Sequence, residues 1–372
     1  MRGEGKMAEN KFIVDKNLHV ETSINEDDIA FYDVRKPPFD VYGLYDYKNQ
    51  KKFKRLPDEI GLNVNGGVRT HYLETAGGRV RFSTDSGYVA IKCVWDKTTR
   101  FSHMPITGTS GFDMYVDGEQ KGVSHFMGSF VPPFETENGY ESIIKFRDRK
   151  KRYITINFPS YNEVTDLYIG VQKDAVLDSG NKYSFEKPVV FYGSSITQGG
   201  CSSRPGNTYE ALVSRHLDLD YVNLGFSGSA KGEDTIVDYM ASMEMSAFFS
   251  DYDHNAPNAE HLEKTHLKMY KKIREKHPDI PYIMMSRVDV DSGGDGYKET
   301  LRRRKIIHDT FEYALESGDQ NVYFIDGEGV FRGVYADCCT VDSVHPNDYG
   351  FLKMSEAIEA LFSRIINDGK MR

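Results

Sequence analysis

Val189-Val190-Phe191-Tyr192-Gly193-Ser194-Ser195-Ile196-Thr197-Gln198-Gly199-Gly200 is an apolar run that breaks into a Gly/Ser turn. It reads as a strand whose carboxyl end presents a serine. A hydroxyl placed there is a nucleophile only if a base reaches it. Far along the chain, Asp342-Ser343-Val344-His345-Pro346-Asn347 offers a histidine with a carboxylate just before it. Such a histidine can take the hydroxyl proton of Ser195 and return it to a leaving group, while Asp342 fixes the imidazole tautomer. Each piece has a plain alternative: a loop capping the next helix for Ser195, a turn for Asp342, a helix lead-in for His345-Pro346. Together they predict serine-hydrolase chemistry.

Around these motifs the pattern changes near residue 180. Before it, period-two segments recur: Val80–Thr84, Tyr88–Trp95, Tyr153–Phe158 and Asp166–Val171, with turns such as Thr75-Ala76-Gly77-Gly78 and Val116-Asp117-Gly118-Glu119. Short alternating strands with turn punctuation predict an antiparallel β-sandwich. After Asp178-Ser179-Gly180-Asn181 the rhythm becomes strand, loop, helix. Strands are expected at Val189–Tyr192, Tyr221–Leu224, Ala247–Tyr252, Tyr282–Met285 and Val322–Ile325. Helices are expected at Ala259–His277, at Lys298–Glu316 and from Asn347 onward, where Phe351, Met354, Ile358 and Leu361 share a face. Alternating βα units imply a parallel sheet under helices, with sites at the carboxyl strand ends. The predicted architecture is a three-layer α/β domain, residues 183–372, preceded by a jelly-roll-like β-sandwich, residues 1–182.

The length of 372 residues suits two domains rather than one core. With 47 basic and 56 acidic residues the formal charge is −9, without long like-sign runs, which argues against nucleic acid and against anionic membrane surfaces. The sequence has no apolar run of about 20 residues to span a bilayer, and Met1–Asn10 lacks the apolar core of a secretory signal. Cys93, Cys201, Cys338 and Cys339 show neither metal-site spacing nor a disulfide framework; Cys338-Cys339 has a strained vicinal disulfide as its alternative, and reduced thiols and a cytoplasmic address are expected. Trp95 reads as core. His261 and His266 are wrongly spaced to share a metal on one helix face. The Arg302-Arg303-Arg304-Lys305 run reads as a solvated helix face. There is no internal repeat, and neither cofactor nor metal is implied.

The Ser195 turn is not a G-x-S-x-G elbow, because Thr197 stands where the last glycine belongs. Gly193-Ser194-Ser195-Ile196-Thr197 resembles the Gly-Asp-Ser-(Leu/Ile) block of the GDSL, or SGNH, hydrolases, with serine replacing aspartate. Asp342 and His345 have the spacing of that family's last block, Asp-x-x-His. Asn223-Leu224-Gly225-Phe226-Ser227-Gly228-Ser229 resembles its second block, and Asp253-His254-Asn255 its third, with Asp253 where glycine is usual. The resemblance implies Ser195 as nucleophile, Asp342 and His345 as its partners, and an oxyanion hole from the Ser195 and Gly228 N–H groups and the Asn255 amide. Asn255 also fits a helix N-cap, and His254 a pocket-wall histidine or a second base. His103 to Tyr115, containing Gly111-Phe112-Asp113-Met114-Tyr115, is similar to the Gly-x-Asp-Leu-Tyr signature of the sandwich before one SGNH subgroup. Gln198 to Gly206 is similar to that subgroup after its nucleophile.

The resemblance implies an esterase removing small acyl groups, most plausibly acetyl, from a carbohydrate through an acyl-enzyme on Ser195. His254, Arg204 and His103 are candidates for the substrate pocket. Alternatives are an acyltransferase, a thioesterase or lysophospholipase using the same triad, and a carbohydrate-binding protein with an inactive hydrolase domain. The expected partner is a small-molecule or oligosaccharide ester, with no nucleic acid and no membrane. The His103–Tyr115 loop is expected either to pack beside Ser195 and complete the subsite or to shape the sandwich alone.

Overall fold

Every strand expected after residue 180 forms, and together they make a five-stranded parallel sheet. Its order is Tyr221–Gly225, Val189–Gly193, Ala247–Asp251, Tyr282–Met285, Val322–Ile325. The computed structural model describes residues 24–288 and 295–371; the Met1–Asn10 stretch read for a signal lies outside them. The strands read as apolar runs because both faces are covered. Val190, Tyr192, Phe248 and Met284 face a layer holding Asp234–Ser242, Ala259–Lys276 and Asp295–Glu316. Val189, Phe191, Phe249 and Ile283 face a layer holding Tyr209–Leu217 and Asp348–Asn367. This is the three-layer α/β domain. Side-chain caps start the helices: Thr208, Asn258 and Asn347 accept from Ala211, His261 and Tyr349/Gly350 backbone N–H groups.

The amino-terminal half is the expected β-sandwich. One antiparallel sheet runs Ile29–Asp33, Asp166–Gln172, Tyr88–Val94, Gly139–Lys145. The other runs Leu177–Ser179, Arg79–Thr84, Arg152–Asn157, Phe112–Asp117, Ser124–Phe130, with Asp40–Tyr42 also on Arg79–Thr84. Alternation sends Val80, Phe82, Val89, Ile91, Ile154 and Ile156 into one core with Trp95, which is 1% exposed and is core as expected. The expected division at 182/183 lies between the last sandwich strand, Leu177–Ser179, and the first parallel strand, Val189–Gly193.

The two halves are not independent in packing. Leu56, Val68 and Tyr72, from the amino-terminal half, belong to the same buried cluster as Leu224, Phe226 and Ile236 of the α/β domain. No helix among the described residues is long and apolar enough to cross a membrane.

Candidate active site

Sheet order decides where chemistry can sit. Val189–Gly193 is flanked by Tyr221–Gly225 and Ala247–Asp251, so the chain order reverses at its carboxyl end, where open α/β sheets bind ligands. There the strand turns into a four-residue helix, Ser195–Gln198. Ser194 caps it, its Oγ accepting from Ile196 N at 3.1 Å. Gly193 has to lack a side chain, since a Cβ would collide with Asp251 Oδ1 and Thr197 Oγ1. Beneath the turn Thr197 donates to Asp251, and Tyr209 OH lies 3.1 Å from Thr197 Oγ1 and 3.3 Å from Asp251 Oδ2. Burial pushes the Asp251 carboxyl up to about 8, against the hydrogen bonds that would lower it.

The carboxy-terminal loop reaches back over this turn. Asp342 Oδ1 accepts from the backbone N–H of Val344 (3.1 Å) and His345 (2.7 Å), while Oδ2 accepts from His345 Nδ1 at 2.7 Å. Ser343 takes φ 70° to make the tight turn, and Val341 N–H closes the loop on His345 O at 2.9 Å. A carboxylate on Nδ1 puts the proton there and leaves Nε2 as acceptor, 2.9 Å from Ser195 Oγ. Burial would raise Asp342, but the backbone N–H groups and the imidazole outweigh it and hold the carboxyl at about 2. Ser195, His345 and Asp342 therefore form one unbroken hydrogen-bonded line.

The two middle blocks converge on the same edge. Gly228 is exposed with φ 65°, a conformation glycine adopts without strain, and open space lies where a Cβ would be. Asn255 closes a short 3₁₀ turn, Tyr252–Asn255, and its Oδ1 accepts from Ala230 N at 3.2 Å. A backbone N–H requires an acceptor, so the amide orientation is forced and Nδ2 is the end turned away from that loop. Asn255 is not a helix cap; Asn258 caps the next helix. Asp253 takes the glycine's place without left-handed backbone, fully buried, its Oδ2 accepting from Arg287 N at 3.0 Å.

Several supporting residues gave no sequence signal. Arg55 is buried and donates to Glu74 O (2.8 Å), His71 O (2.6 Å), Gly225 O (2.5 Å) and Asn223 O (3.2 Å), pinning the second block from the amino-terminal half. Burial lowers its pKa to about 10, leaving it cationic at neutral pH. Gln198 donates to Glu74 and accepts from Ser227 N at 2.9 Å, tying the nucleophile helix to the same block. Lone polar residues in irregular stretches carry no periodicity, and only the folded chain brings them together. Arg303 corrects the solvated-face reading of the basic run. It is 6% exposed and donates to Asp253 O (2.6 Å) and Ala256 O (2.8 Å), bracing the third block. Arg304 is also buried, paired with Asp326 and Glu328.

The candidate pocket residues separate. His103 is exposed, and its ring centroid lies 5.7 Å from that of His345. The sandwich loop bearing it is fastened by Thr107 Oγ1 to Ser203 O at 2.6 Å. It packs beside Ser195 rather than shaping the sandwich alone. Arg204 is a correction: it points away into the domain interface. It donates to Asp113 (3.1 Å) and to Tyr115, and covers the Phe126 ring at 3.9 Å. Asp113, fully buried, also accepts from Gly206 N (2.9 Å) and Asn157 (2.8 Å). The Asp and Tyr of Gly111–Tyr115 thus clamp the two halves together. His254 is displaced inward as well. Its Nε2 is buried without a hydrogen-bond partner, and burial drives its pKa well below the histidine range. It lines a small void with Ile196, Met285 and Val288, and His345 lies near enough to add to that lowering. His261 and His266 bind Lys231 O and Thr310 separately. All four cysteines are free thiols, and burial pushes Cys201 up to about 12, with the Asp342 charge adding to the effect. A cavity of about 290 Å³ lies between the halves near Arg81, Tyr183, Arg215 and Tyr221, at the amino end of the Tyr221–Gly225 strand and away from Ser195.

A serine, a histidine and an aspartate hydrogen-bonded in line at the switch point of a doubly covered parallel sheet, behind a β-sandwich, form an arrangement suited to ester and acyl-transfer chemistry. Residues 186–363 match the model of the GDSL-like lipase/acylhydrolase family, and residues 29–177 match the model for the N-terminus of SGNH-hydrolase-type esterases (GxDLY). Among solved structures the chain is similar to a protein described as a GDSL-like lipase from Bacteroides ovatus. The two are 25% identical, covering 91% of this chain and 98% of that one, with a TM-score of 0.81. It shares its fold with the salicylyl-acyltransferase SsfX3 of a tetracycline biosynthetic pathway (18% identity, 91% and 98% covered, TM-score 0.73). It also shares it with a family two carbohydrate esterase from Clostridium thermocellum, solved with cellohexaose (15% identity, 88% and 99% covered, TM-score 0.61). No curated protein sequence matches the chain.

Proposed function

We propose that the protein hydrolyses small acyl esters, acetyl above all, on a carbohydrate, through an acyl-enzyme on Ser195. The observation that carries the reading is the line Ser195 Oγ–His345 Nε2 (2.9 Å) and His345 Nδ1–Asp342 Oδ2 (2.7 Å) at the sheet's switch point. Ser195 Oγ attacks the acyl carbonyl as His345 Nε2 takes its proton, and ionised Asp342 stabilises the imidazolium. The oxyanion is held by the N–H groups of Ser195 and Gly228 and by Asn255 Nδ2. His345 returns the proton to the departing sugar hydroxyl. Water, deprotonated by His345, then attacks the acyl-serine, and His345 gives that proton to Ser195 Oγ as the Oγ–acyl bond breaks and the acid leaves.

Crowding supports a compact acyl group: Ser195 is 7% exposed, with the His103 and His345 rings beside it. The carbohydrate rests on the shared architecture with the Clostridium esterase, which is analogy. Hydrolysis of p-nitrophenyl acetate, of longer acyl homologues and of acetylated oligosaccharides by wild type, Ser195→Ala and Ser194→Ala tests the reading. Ser195→Ala is expected to be inactive and folded, and Ser194→Ala active but less stable by about 1 kcal/mol through loss of its cap. An active Ser195→Ala overturns the mechanism, and a preference for long acyl chains overturns the substrate. A second reading, favoured by the likeness to the acyltransferase, passes the acyl group to an alcohol other than water. Acylated acceptor exceeding free acid, when a sugar is supplied, selects it.

A further inference from the structure

Beside the relay stand three donors from three separate segments. His103 comes from the sandwich loop, Cys201 from the turn after the candidate nucleophile, and His345 from the carboxy-terminal loop. One ring nitrogen of each histidine and Cys201 Sγ lie within 4.8 Å of one another. The imidazoles are tilted by 50°, not stacked. His103 is exposed, so a solvated ion reaches it directly. Cys201 is held at φ 70°, rare for a residue with a side chain, with Sγ 3.6 Å from His103 O. The Thr107–Ser203 bond locks the His103 loop to the Cys201 turn. Two of the donors are thus fixed relative to each other before any ligand arrives.

We propose that His103, Cys201 and His345 form a site for a thiophilic divalent cation, best matched by Zn²⁺, whose occupancy switches the hydrolase off. Two imidazoles and a thiolate are the donors zinc takes, at about 2.0–2.1 Å for nitrogen and about 2.3 Å for sulfur, with the fourth tetrahedral position left to water. Donors in such a shell stand roughly 3.3–3.6 Å apart, so small side-chain rotations close the observed spacing. Cys201 gives its thiol proton to the buffer as the metal–sulfur bond forms, and neither metal nor sulfur changes oxidation state. The inhibitory part rests on His345 as the base proposed above. Both its nitrogens are engaged, Nε2 with Ser195 and Nδ1 with Asp342. An ion on either one breaks the line. Sequence spacing could not reveal this site, because its ligands come from distant segments.

The test uses the full-length, chelator-treated protein, with Co²⁺ as spectroscopic probe and Zn²⁺ as inhibitor. Co²⁺ is expected to raise a thiolate-to-metal charge-transfer band that saturates at one equivalent and disappears in Cys201→Ala. Zn²⁺ should inhibit p-nitrophenyl acetate hydrolysis in wild type. Cys201→Ala and His103→Ala should each need roughly 10–100-fold more, at least what losing an outer-shell partner costs. Ser195→Ala should keep the cobalt band, so the metal site is read even if the esterase reading fails. A wild type without the band, or a band that survives Cys201→Ala, overturns the site. A saturated band with undiminished hydrolysis overturns the switch.

Discussion

Asn255 is where the proposed oxyanion hole is most exposed to disproof, because its amide does two separable things. Oδ1 accepts one neutral hydrogen bond from Ala230 N at 3.2 Å, worth about 0.5–1.5 kcal/mol net. Nδ2 is assigned to the oxyanion, and such a donor is worth about 2.7–4 kcal/mol, or about 10²–10³ in kcat. Asn255→Ala loses both; Asn255→Asp keeps the acceptor for Ala230 N–H, loses the donor and sets a negative charge beside the oxyanion. The helix cap is untouched in either, since Asn258 supplies it. Asn255→Ala should therefore lose about 10²–10³ in kcat with a smaller change in KM, and unfold slightly earlier in urea. Asn255→Asp should lose at least as much in kcat, because its carboxylate also repels the oxyanion, while keeping the Ala230 N–H bond. Asn258→Ala should cost about 1 kcal/mol of stability and leave kcat alone. Steady-state p-nitrophenyl acetate kinetics, referred to the folded fraction from urea melts, measures all three. If Asn255→Asp keeps kcat within about twofold of wild type, Asn255 is no oxyanion donor and the hole has been misassigned.

Three further outcomes follow from the geometry. Asp342→Asn retains the turn but removes the charge facing imidazolium, so kcat should fall by a factor on the order of 10⁴; a loss under about tenfold would refute its role. Burial holds Asp251 protonated up to about 8, against about 3.9 for an unfolded aspartate. Across that window the folded state binds the extra proton, so this group's contribution to stability falls as pH rises and levels off above about 8. Asp251→Asn should flatten the slope between about pH 5 and about pH 7.5 in urea unfolding; wild-type and variant lines running parallel would sink the assignment. A fragment of residues 183–372 loses Leu56, Val68 and Tyr72 from its core, at about 1.5–3 kcal/mol each, a large share of the roughly 5–15 kcal/mol that holds a domain. It should be poorly soluble or inactive, and a cooperatively folding fragment with full activity would contradict the shared core.

Local pattern carried much of this protein. All five parallel strands and the last three long helices were legible because burial on both faces writes apolar runs, and one-sided burial writes a helical period. The Ser195 turn and the Asp-x-x-His block were legible as local structure because each is held by short-range geometry: a capped turn for Ser195, a three-residue loop for His345. What lay between those blocks was decided only by the tertiary structure. Arg55, Glu74 and Arg303 brace the site from remote segments, and Arg303 looked like solvent-facing charge because a buried guanidinium has the same sequence as an exposed one. Arg204 was misplaced because Asp113, its partner, lies on a different domain. A hydrogen bond between distant residues leaves no period in the chain, so the clamp between the halves and the meeting of His103, Cys201 and His345 exist only once both domains are folded and docked.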